Sequence, residues 1–526
     1  MSGQNNRLLR MQLAVWVVGL ILLLSGSFHG SIWFDESYTL ALVHKSFTDI
    51  WTIGGNDVHP VLYYEALHIL YLVVGMNVTA FRLFSVAGIL ATALLGPAVV
   101  RRDWGAVSGL VFSAAVFFCP YYLFIGNQIR MYSWTVFAVA VCLLMALRIM
   151  RSGEGDAPRP RPWGTWLAFF VGSWSAASLH YYGALTAFLI NLMLLAHLIC
   201  GRRLRDVAKL LVGAVCQIIL YLPFLAVLLQ QISGVSKGFW IEFEIPTSIF
   251  EILCFPFLGE AGVNAVEAAE DGSIALQWGL VVLAVAGAMI GAVAVIRHRP
   301  SGCRAVALWS SLGVYFGVIL LGVLAYAAVD TVVLYYRYLS IPLVAVLLAL
   351  ALQLGSRIEA GALRAPVAIG ALAAVAVVAQ GAFCLSAYDP ANRRVVEEIE
   401  STTGDGAGAV LYGDIVSAGA VSQSLSAPLP DQLFLDWPMG GWGLAYEAYQ
   451  PELTLSSTAA DTLARAGDAP VYVRAERGRK SVSDLEGLSG YQEFLSGSGL
   501  RVQSVQTIYR PYENRTYFVV RCGRAQ

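Results

Sequence analysis

Charged residues are scarce in this sequence of 526 residues. Asp, Glu, Lys and Arg make up 13% of it, hydrophobic residues make up 57%, and the mean hydropathy is +0.65. Soluble domains carry about 25% charged residues, so the shortage excludes an ordinary soluble protein and predicts a polytopic membrane protein. The net charge of −1 gives no information about partners. We expect no nucleic-acid partner.

Motifs that bind nucleotides or metals are also missing. The chain has no P-loop and no Rossmann fingerprint, and its eight cysteines show neither CxxC nor metal-ligand spacing. We interpret the cysteines as small buried hydrophobic residues and expect no required cofactor. A divalent cation stays an open alternative, because Asp35, Glu36 and Asp57 could bind one although no spacing requires it.

The sequence does contain a series of apolar runs long enough to cross a bilayer. Lys and Arg concentrate in cytoplasmic loops, and all basic clusters fall on one side if the N-terminus is cytoplasmic and the chain crosses about eleven times. The short run at 61–75 is then predicted to lie along the outer surface. The predicted spans lie at about 11–27, 79–100, 105–125, 131–150, 163–181, 184–200, 207–230, 277–296, 305–328, 338–355 and 365–386.

The composition changes after residue 386. Residues 387–526 combine a helical stretch, alternating apolar runs and turns rich in Gly and Ser, which predicts a small α/β domain. An odd number of spans places this domain on the extracytoplasmic side of the membrane, where we expect an accessory or acceptor-binding role. The predicted fold class is therefore an α-helical polytopic membrane module, 1–386, followed by a soluble extracytoplasmic α/β domain, 387–526.

The external loop after the first span, at 31–78, holds an unusual group of polar residues. Asp35, Glu36, Asp57 and His59 lie within a few residues of a hydrocarbon boundary. Charged groups in that position are costly unless they are hydrated, paired or functional, so the loop is a candidate active site. A carboxylate there could act as a general base.

Further polar and aromatic residues occur at the predicted outer ends of other spans. Cationic side chains could hold a phosphate whose charge increases as it leaves, and aromatic side chains suit a sugar or a lipid headgroup. These candidate substrate-binding residues are Arg82, Arg130, Tyr132, His180, Tyr181, Lys237, Trp240, Arg337 and Tyr338.

Several motifs in this order resemble the C-fold (GT-C) glycosyltransferases. The resemblance covers roughly residues 1–390 and is closest to the group containing protein O-mannosyltransferases and lipid A aminoarabinose transferases. The motifs are WFDESYT, DVHPVLYY, RLFS, QIRMY, LHYYGAL and YRYL. The resemblance implies inverting transfer of a sugar from a polyprenyl-phosphate donor to a protein, lipid or glycan acceptor at the extracytoplasmic face.

The resemblance also implies roles for individual residues. Asp35 matches the family's base with Glu36 as its neighbour, while Asp57 and His59 match residues that contact sugar or phosphate. Arg130 and Arg337 match positions against the lipid phosphate. Many relatives carry an acid where this chain has Gln128, so a second carboxylate or a metal supplied by that loop is not expected from the motif.

Structural explanations exist for most of these residues. Asp35 could be a helix N-cap, Glu36 a first-turn acid, and Asp57 and His59 a turn before Pro60. Arg130 and Arg337 could be interfacial anchors.

Two other function classes stay open: a polysaccharide polymerase or ligase, and a transporter or flippase for lipid-linked sugars. Transport is disfavoured because the chain shows no internal repeat and its polar residues lie at span ends. The absence of a retention signal favours a prokaryotic plasma membrane.

Overall fold

A computed structural model of the protein describes residues 2–151, 162–235, 243–269, 273–298, 300–329, 334–403, 408–426, 429, 431–437 and 446–524. Most of these residues are helical, as the apolar sequence predicts. The helices are α1 Ser2–Ser25, α2 Phe34–Val43, α3 Phe47–Gly54, α4 Leu62–Val74, α5 Val78–Leu95, α6 Arg101–Trp104, α7 Ala106–Phe117, α8 Pro120–Gly126, α9 Tyr132–Arg151, α10 Pro162–Leu179, α11 Tyr181–Cys200, α12 Leu204–Val235, α13 Thr247–Glu267, α14 Ser273–Arg297, α15 Gly302–Val329, α16 Tyr336–Leu339, α17 Leu343–Glu359, α18 Ala365–Ala387, α19 Ala391–Thr403, α20 Ile415–Ser422, α21 Ala459–Arg465, α22 Val482–Glu486 and α23 Ser489–Ser498.

The chain forms two compact units. The first contains Met1–Phe28, Val58–Tyr63 and Thr79–Ala382, and the second contains His29–Asp57, Tyr64–Val78 and Phe383–Gln526. The predicted boundary at 386/387 is close to the boundary between Ala382 and Phe383. However, most of the loop at 31–78 groups with the C-terminal segment rather than with the helices that flank it in sequence.

The first unit is a bundle of apolar helices. Among the described residues, nine helices are long and apolar enough to cross a membrane, and α7 and α8 would add a tenth, bent by 62° between them. Every predicted span falls on one or more helices, which confirms the helical membrane fold class. However, α10 and α17 are not among the nine helices, whereas α13, which was not predicted as a span, is one of them. The 13 residues of α4 extend only about 20 Å, less than the roughly 30 Å hydrocarbon core, as expected for a helix that does not cross.

One helix of the first unit was not predicted. No span was predicted between residues 230 and 277, but residues 247–267 form α13. Pro256 and the acids of this stretch obscured its helical pattern in the sequence. Gly259 has φ 64°, which kinks the helix, and the next residue, Glu260, is buried. The helix therefore carries a carboxylate into the protein interior immediately after its kink.

Basic residues of the first unit meet acids at one end of the bundle. Arg148 Nη2 lies 2.9 Å from Asp103 Oδ2, and Arg304 Nη1 lies 2.6 Å from Glu359 Oε2. Arg304 also donates a hydrogen bond to the Trp104 carbonyl, next to Asp103. The ends of α6, α9, α15 and α17 are therefore close together, as the clustering of basic residues on one side predicts.

The second unit is built around a six-stranded mixed sheet. Strands β3, β2, β1 and β4 lie side by side in that order and run parallel to one another. Strand β6 pairs antiparallel with β4, and β5 pairs antiparallel with β6 at the edge of the sheet. Leu411, Leu433, Tyr472, Phe494 and Phe518 contribute to its buried core. The predicted α/β domain is thus confirmed. The strands are β1 Val410–Tyr412, β2 Gln432–Leu435, β3 Thr454–Ser456, β4 Val471–Arg477, β5 Leu500–Arg510 and β6 Arg515–Arg524.

The close packing of α11 against its neighbours in the first unit can be tested by substitution of Gly183. A Cβ atom on Gly183 would lie 2.1 Å from the Ala176 carbonyl oxygen and 2.7 Å from Thr135 Cγ2, whereas Gly287 on α14 has open space around it. We expect Gly183→Ala to destabilise the protein by about 1–3 kcal/mol, because α10 and α11 must move apart. Thermal unfolding in detergent measures this effect. Gly287→Ala is the control, and an equal Tm for both variants would contradict the packing.

Candidate functional site

Five of the predicted site residues form one buried group in the first unit. Arg130 Nη2 lies 3.2 Å from His59 Nδ1. The ring of His180 lies 5.2 Å from the ring of His59, 5.4 Å from that of Tyr132 and 5.1 Å from that of Tyr338. All five side chains are buried. We call this group, consisting of His59, Arg130, Tyr132, His180 and Tyr338, the His59–His180 cluster.

The cluster is assembled from breaks between helices. Arg130 lies between α8 and α9, Tyr132 begins α9, His180 lies between α10 and α11, and Tyr338 belongs to the short α16. His59 precedes Pro60 and α4. Helix ends leave backbone groups unsatisfied, so polar side chains are favoured at these points. This is why residues far apart in sequence meet in one polar group within an apolar bundle.

His180 has a defined tautomer. It is the N-cap of α11, and its Nδ1 accepts a hydrogen bond of 3.0 Å from the Tyr182 backbone N–H. In neutral His180 the proton therefore lies on Nε2, which is buried and has no hydrogen-bond partner among the described residues. Burial, followed by the nearby His59 and Arg130, lowers the pKa of His180 well below its ordinary value. The cluster thus contains a neutral, unused N–H donor.

Gln231, which the sequence did not single out, and the two tyrosines that follow His180 extend the cluster. Gln231 on α12 donates a hydrogen bond of 3.1 Å to the His59 backbone carbonyl, and it accepts one from the hydroxyl of the predicted residue Tyr181. The Tyr182 ring lies 5.1 Å from the Tyr338 ring. Gln231 was missed because it lies at the end of an apolar span and belongs to no motif.

Arg337 is held by an acid that was not predicted. Its Nη2 lies 2.5 Å from Glu260 Oε1, and the Tyr336 hydroxyl donates to both Glu260 carboxylate oxygens at 3.1 and 3.0 Å. Glu260 is buried, so its negative charge balances the guanidinium. The structure therefore gives Arg337 a carboxylate partner, which neither the phosphate nor the interfacial-anchor interpretation of the sequence included.

The acidic pair of the loop at 31–78 lies in the second unit, in the first turn of α2. The N-cap of α2 is Trp33, so Asp35 does not have the N-cap position that was its structural alternative. Asp35 is half-buried. Glu36 is fully buried, and its Oε2 accepts a hydrogen bond of 3.0 Å from the Tyr512 hydroxyl. The two neighbouring acids therefore have different environments.

The other predicted residues are distributed as follows. Asp57 belongs to the second unit, where its Oδ2 accepts a hydrogen bond of 2.9 Å from the Tyr64 hydroxyl. Arg82 is fully buried in α5. Lys237 and Trp240 lie outside the described residues. The described part of the chain contains no group of three or more His, Cys, Asp or Glu side chains that could hold a metal ion.

Comparison with known proteins found structural likeness alone. No protein-family model matches the chain, and no curated protein sequence matches it. The crystal structure of ArnT from Cupriavidus metallidurans in the apo state is 14% identical, with 98% of this chain and 98% of that chain covered and a TM-score of 0.47. The crystal structure of ArnT from the same organism bound to undecaprenyl phosphate is 15% identical, with 99% and 98% covered and a TM-score of 0.45.

Substitutions of His180 can separate the N-cap function of its Nδ1 atom from any function of its buried Nε2–H. We expect His180→Ala to lower stability by about 1 kcal/mol, because the first turn of α11 loses its acceptor. Asn is a strong N-cap residue, so His180→Asn should unfold close to the wild-type Tm. Thermal unfolding of both variants in detergent tests this, and equal destabilisation by both would contradict the N-cap geometry.

The lowered pKa of His180 predicts a pH dependence of stability. The unfolded residue titrates near 6.5, whereas the folded residue stays neutral at lower pH, so the folded state binds fewer protons. The contribution is fully present above about pH 6.5 and decreases as the pH falls below it. We expect the Tm of the wild type to fall more than that of His180→Asn between about pH 7.5 and 5.5. Parallel pH slopes would contradict the buried neutral state.

Proposed function

We propose that the protein is an integral-membrane GT-C glycosyltransferase. In this proposal it transfers a sugar, with inversion, from a polyprenyl-phosphate donor to a lipid, protein or glycan acceptor at the extracytoplasmic face of a prokaryotic plasma membrane. The observation that carries the proposal is the His59–His180 cluster. In this cluster the buried guanidinium of Arg130 lies near the imidazole of His180, whose Nε2–H can donate a hydrogen bond, and both residues lie at breaks between helices of an apolar bundle. The motifs that resemble those of GT-C enzymes indicate the reaction class, which is sugar transfer from a polyprenyl-phosphate donor.

The cluster suits a departing phosphate. As the bond from the anomeric carbon to the phosphate oxygen breaks, the bonding electron pair leaves with the phosphate and its negative charge increases. The Arg130 guanidinium and the His180 Nε2–H are donors that need little reorganisation, and electrostatic attraction is stronger in a buried site than in water. Because His180 stays neutral, it donates a hydrogen bond without adding a second cation next to Arg130.

The aromatic members of the cluster suit the sugar and the lipid. Tyr132 and Tyr338 both face His180, and Tyr182 lies against Tyr338. Tyrosine combines an apolar ring with a polar hydroxyl, which matches the two kinds of surface on a lipid-linked sugar. In our proposal these rings enclose the sugar near its phosphate and exclude water from the reacting bond.

Asp35 is the proposed general base. The acceptor hydroxyl is a poor nucleophile, so a carboxylate must take its proton as the new bond to the anomeric carbon forms. The environments of the two acids favour Asp35 for this role, because Asp35 is half-buried whereas the Glu36 carboxylate is fully buried and hydrogen-bonded. The proton passes from the acceptor oxygen to the Asp35 carboxylate, and polyprenyl phosphate is the second product.

The experiment that tests the proposal measures transfer of radiolabelled sugar from polyprenyl-phosphate donors by purified protein. We expect the wild type to transfer sugar and Asp35→Asn to lose about 10²–10⁴-fold in kcat, because Asn cannot accept the proton. Asp468→Asn is the control, since that side chain is 96% exposed in the second unit. Donor-independent polymer elongation or donor translocation without transfer would favour the polymerase or transporter classes and contradict our proposal.

The phosphate role of the cluster has its own test. Arg130→Lys keeps the charge but loses the planar fork of donors, and we expect kcat to fall about 10–100-fold. His180→Asn keeps the N-cap but removes the imidazole Nε2–H, and we expect a loss of about 10²-fold in kcat. The assay is the same sugar transfer, read beside the Tm of each variant. Wild-type kcat in a folded His180→Asn protein would exclude His180 from the reaction.

A further inference from the structure

The turn between β5 and β6 is anchored firmly in the second unit. It contains a short 3-10 segment, Pro511–Glu513, followed by Asn514 in the left-handed region with φ 49°. The Tyr509 hydroxyl donates a hydrogen bond of 2.8 Å to Asn514 Oδ1, and the Gly478 backbone N–H donates one of 2.7 Å to the Asn514 carbonyl. Asn tolerates this backbone conformation better than most residues, so the turn has a defined shape.

The first residue of this turn region, Arg510, reaches the start of the first external loop. Arg510 and Glu513 form a buried ion pair of 2.8 Å, with side chains 1% and 2% exposed. Arg510 Nη2 also donates a hydrogen bond of 3.1 Å to the Ile32 backbone carbonyl. Because Glu513 balances the charge of Arg510, the remaining guanidinium donors can hold a backbone group three residues before Asp35.

Tyr512, in the same turn, reaches the loop on the other side of Asp35. Its backbone N–H donates a hydrogen bond of 3.1 Å to Asn392 Oδ1, and its hydroxyl donates one of 3.0 Å to Glu36 Oε2. Its ring lies 4.7 Å from the ring of His29. Both the Tyr512 side chain and the Glu36 carboxylate are buried, so the bond between them is shielded from water.

These contacts hold the α2 start at two points, the Ile32 carbonyl and the Glu36 carboxylate, and Asp35 lies between them. Successive helical residues point about 100° apart. When Glu36 is held inward, the direction of the Asp35 side chain is therefore set as well. Helix α2 has no side-chain N-cap of its own, so the turn supplies the restraint that a cap would give.

We propose that Tyr512 is a positioning residue for the reaction. In this inference, which rests on the function proposed above, Tyr512 acts through Glu36 to orient the Asp35 carboxylate toward the acceptor hydroxyl. The sheet domain then contributes directly to catalysis by ordering the first external loop, in addition to any acceptor that it binds. Glu36 serves as the link in this arrangement and does not take the proton.

The test begins with Tyr512→Phe, which removes one hydroxyl and keeps the ring. We expect kcat to fall about 10–30-fold while the KM values for donor and acceptor change less than twofold, since binding is intact and the base is misdirected. Tyr412→Phe is the matched control, because it removes a buried hydroxyl of the same unit that donates to Gln432 and not to Glu36. Equal losses in the two variants would overturn the proposal, as would wild-type kcat in folded Tyr512→Phe.

Variants at Glu36 complete the test. If Tyr512→Phe does not fold, the Glu36 variants alone test the proposal. Glu36→Gln retains an oxygen that can accept from the Tyr512 hydroxyl, whereas Glu36→Ala does not. We expect Glu36→Gln to be at least ten times more active than Glu36→Ala, and Tyr512→Phe to cause no further loss when added to Glu36→Ala. A loss in Glu36→Gln as large as that in Asp35→Asn would overturn the linking role.

The outcomes also separate this inference from the function on which it rests. If the wild type transfers no sugar from any polyprenyl-phosphate donor, the proposed function fails and the positioning role falls with it. If the wild type transfers sugar and Asp35→Asn does not, the function stands. The Tyr512 and Glu36 variants then decide the positioning role alone.

Discussion

The cost of burying charge in an apolar protein is the constraint on which this structure depends. A buried ion is tolerated only when a counter-charge or several hydrogen bonds compensate for the water it loses. Arg337 has Glu260, and Arg510 has Glu513. His180 meets the same constraint differently, because burial lowers its pKa and keeps the imidazole neutral. Each polar group thus has a restricted orientation, which is the condition for a preorganised site.

The breaks between helices decide where these polar groups collect. Continuous helices satisfy their own backbone, so polar side chains are most useful where a helix begins, ends or bends. His180 caps α11, and Glu260 follows the kink of α13 at Gly259. Arg130 lies in the connection between α8 and α9. In the proposed reaction, a site built on such breaks can hold a charged phosphate inside a largely apolar bundle.

The composition of the second unit gives the C-terminal domain a closer connection to the candidate site than the sequence suggests. Sequence composition presents it as an appended module, but its β5–β6 turn contacts the loop that carries the acidic pair. In the proposed reaction the domain therefore orders the residues that handle the acceptor proton. This arrangement makes the first external loop dependent on residues almost 480 positions later in the chain.

The sequence alone determined the class of fold and much of the candidate site. Apolar runs and basic clusters predict the helices because hydrophobic length and charge placement are local properties. The positions of polar and aromatic residues in the loop at 31–78 and at the ends of predicted spans also selected His59, Arg130, Tyr132, His180 and Tyr338. Only the tertiary structure decided that Glu260 pairs with Arg337, that Gln231 supports His59, and that Glu36 and Asp35 differ in environment. Partners of buried polar groups come from distant segments, and a polar residue in an apolar stretch gives no local sign of the side chain it meets.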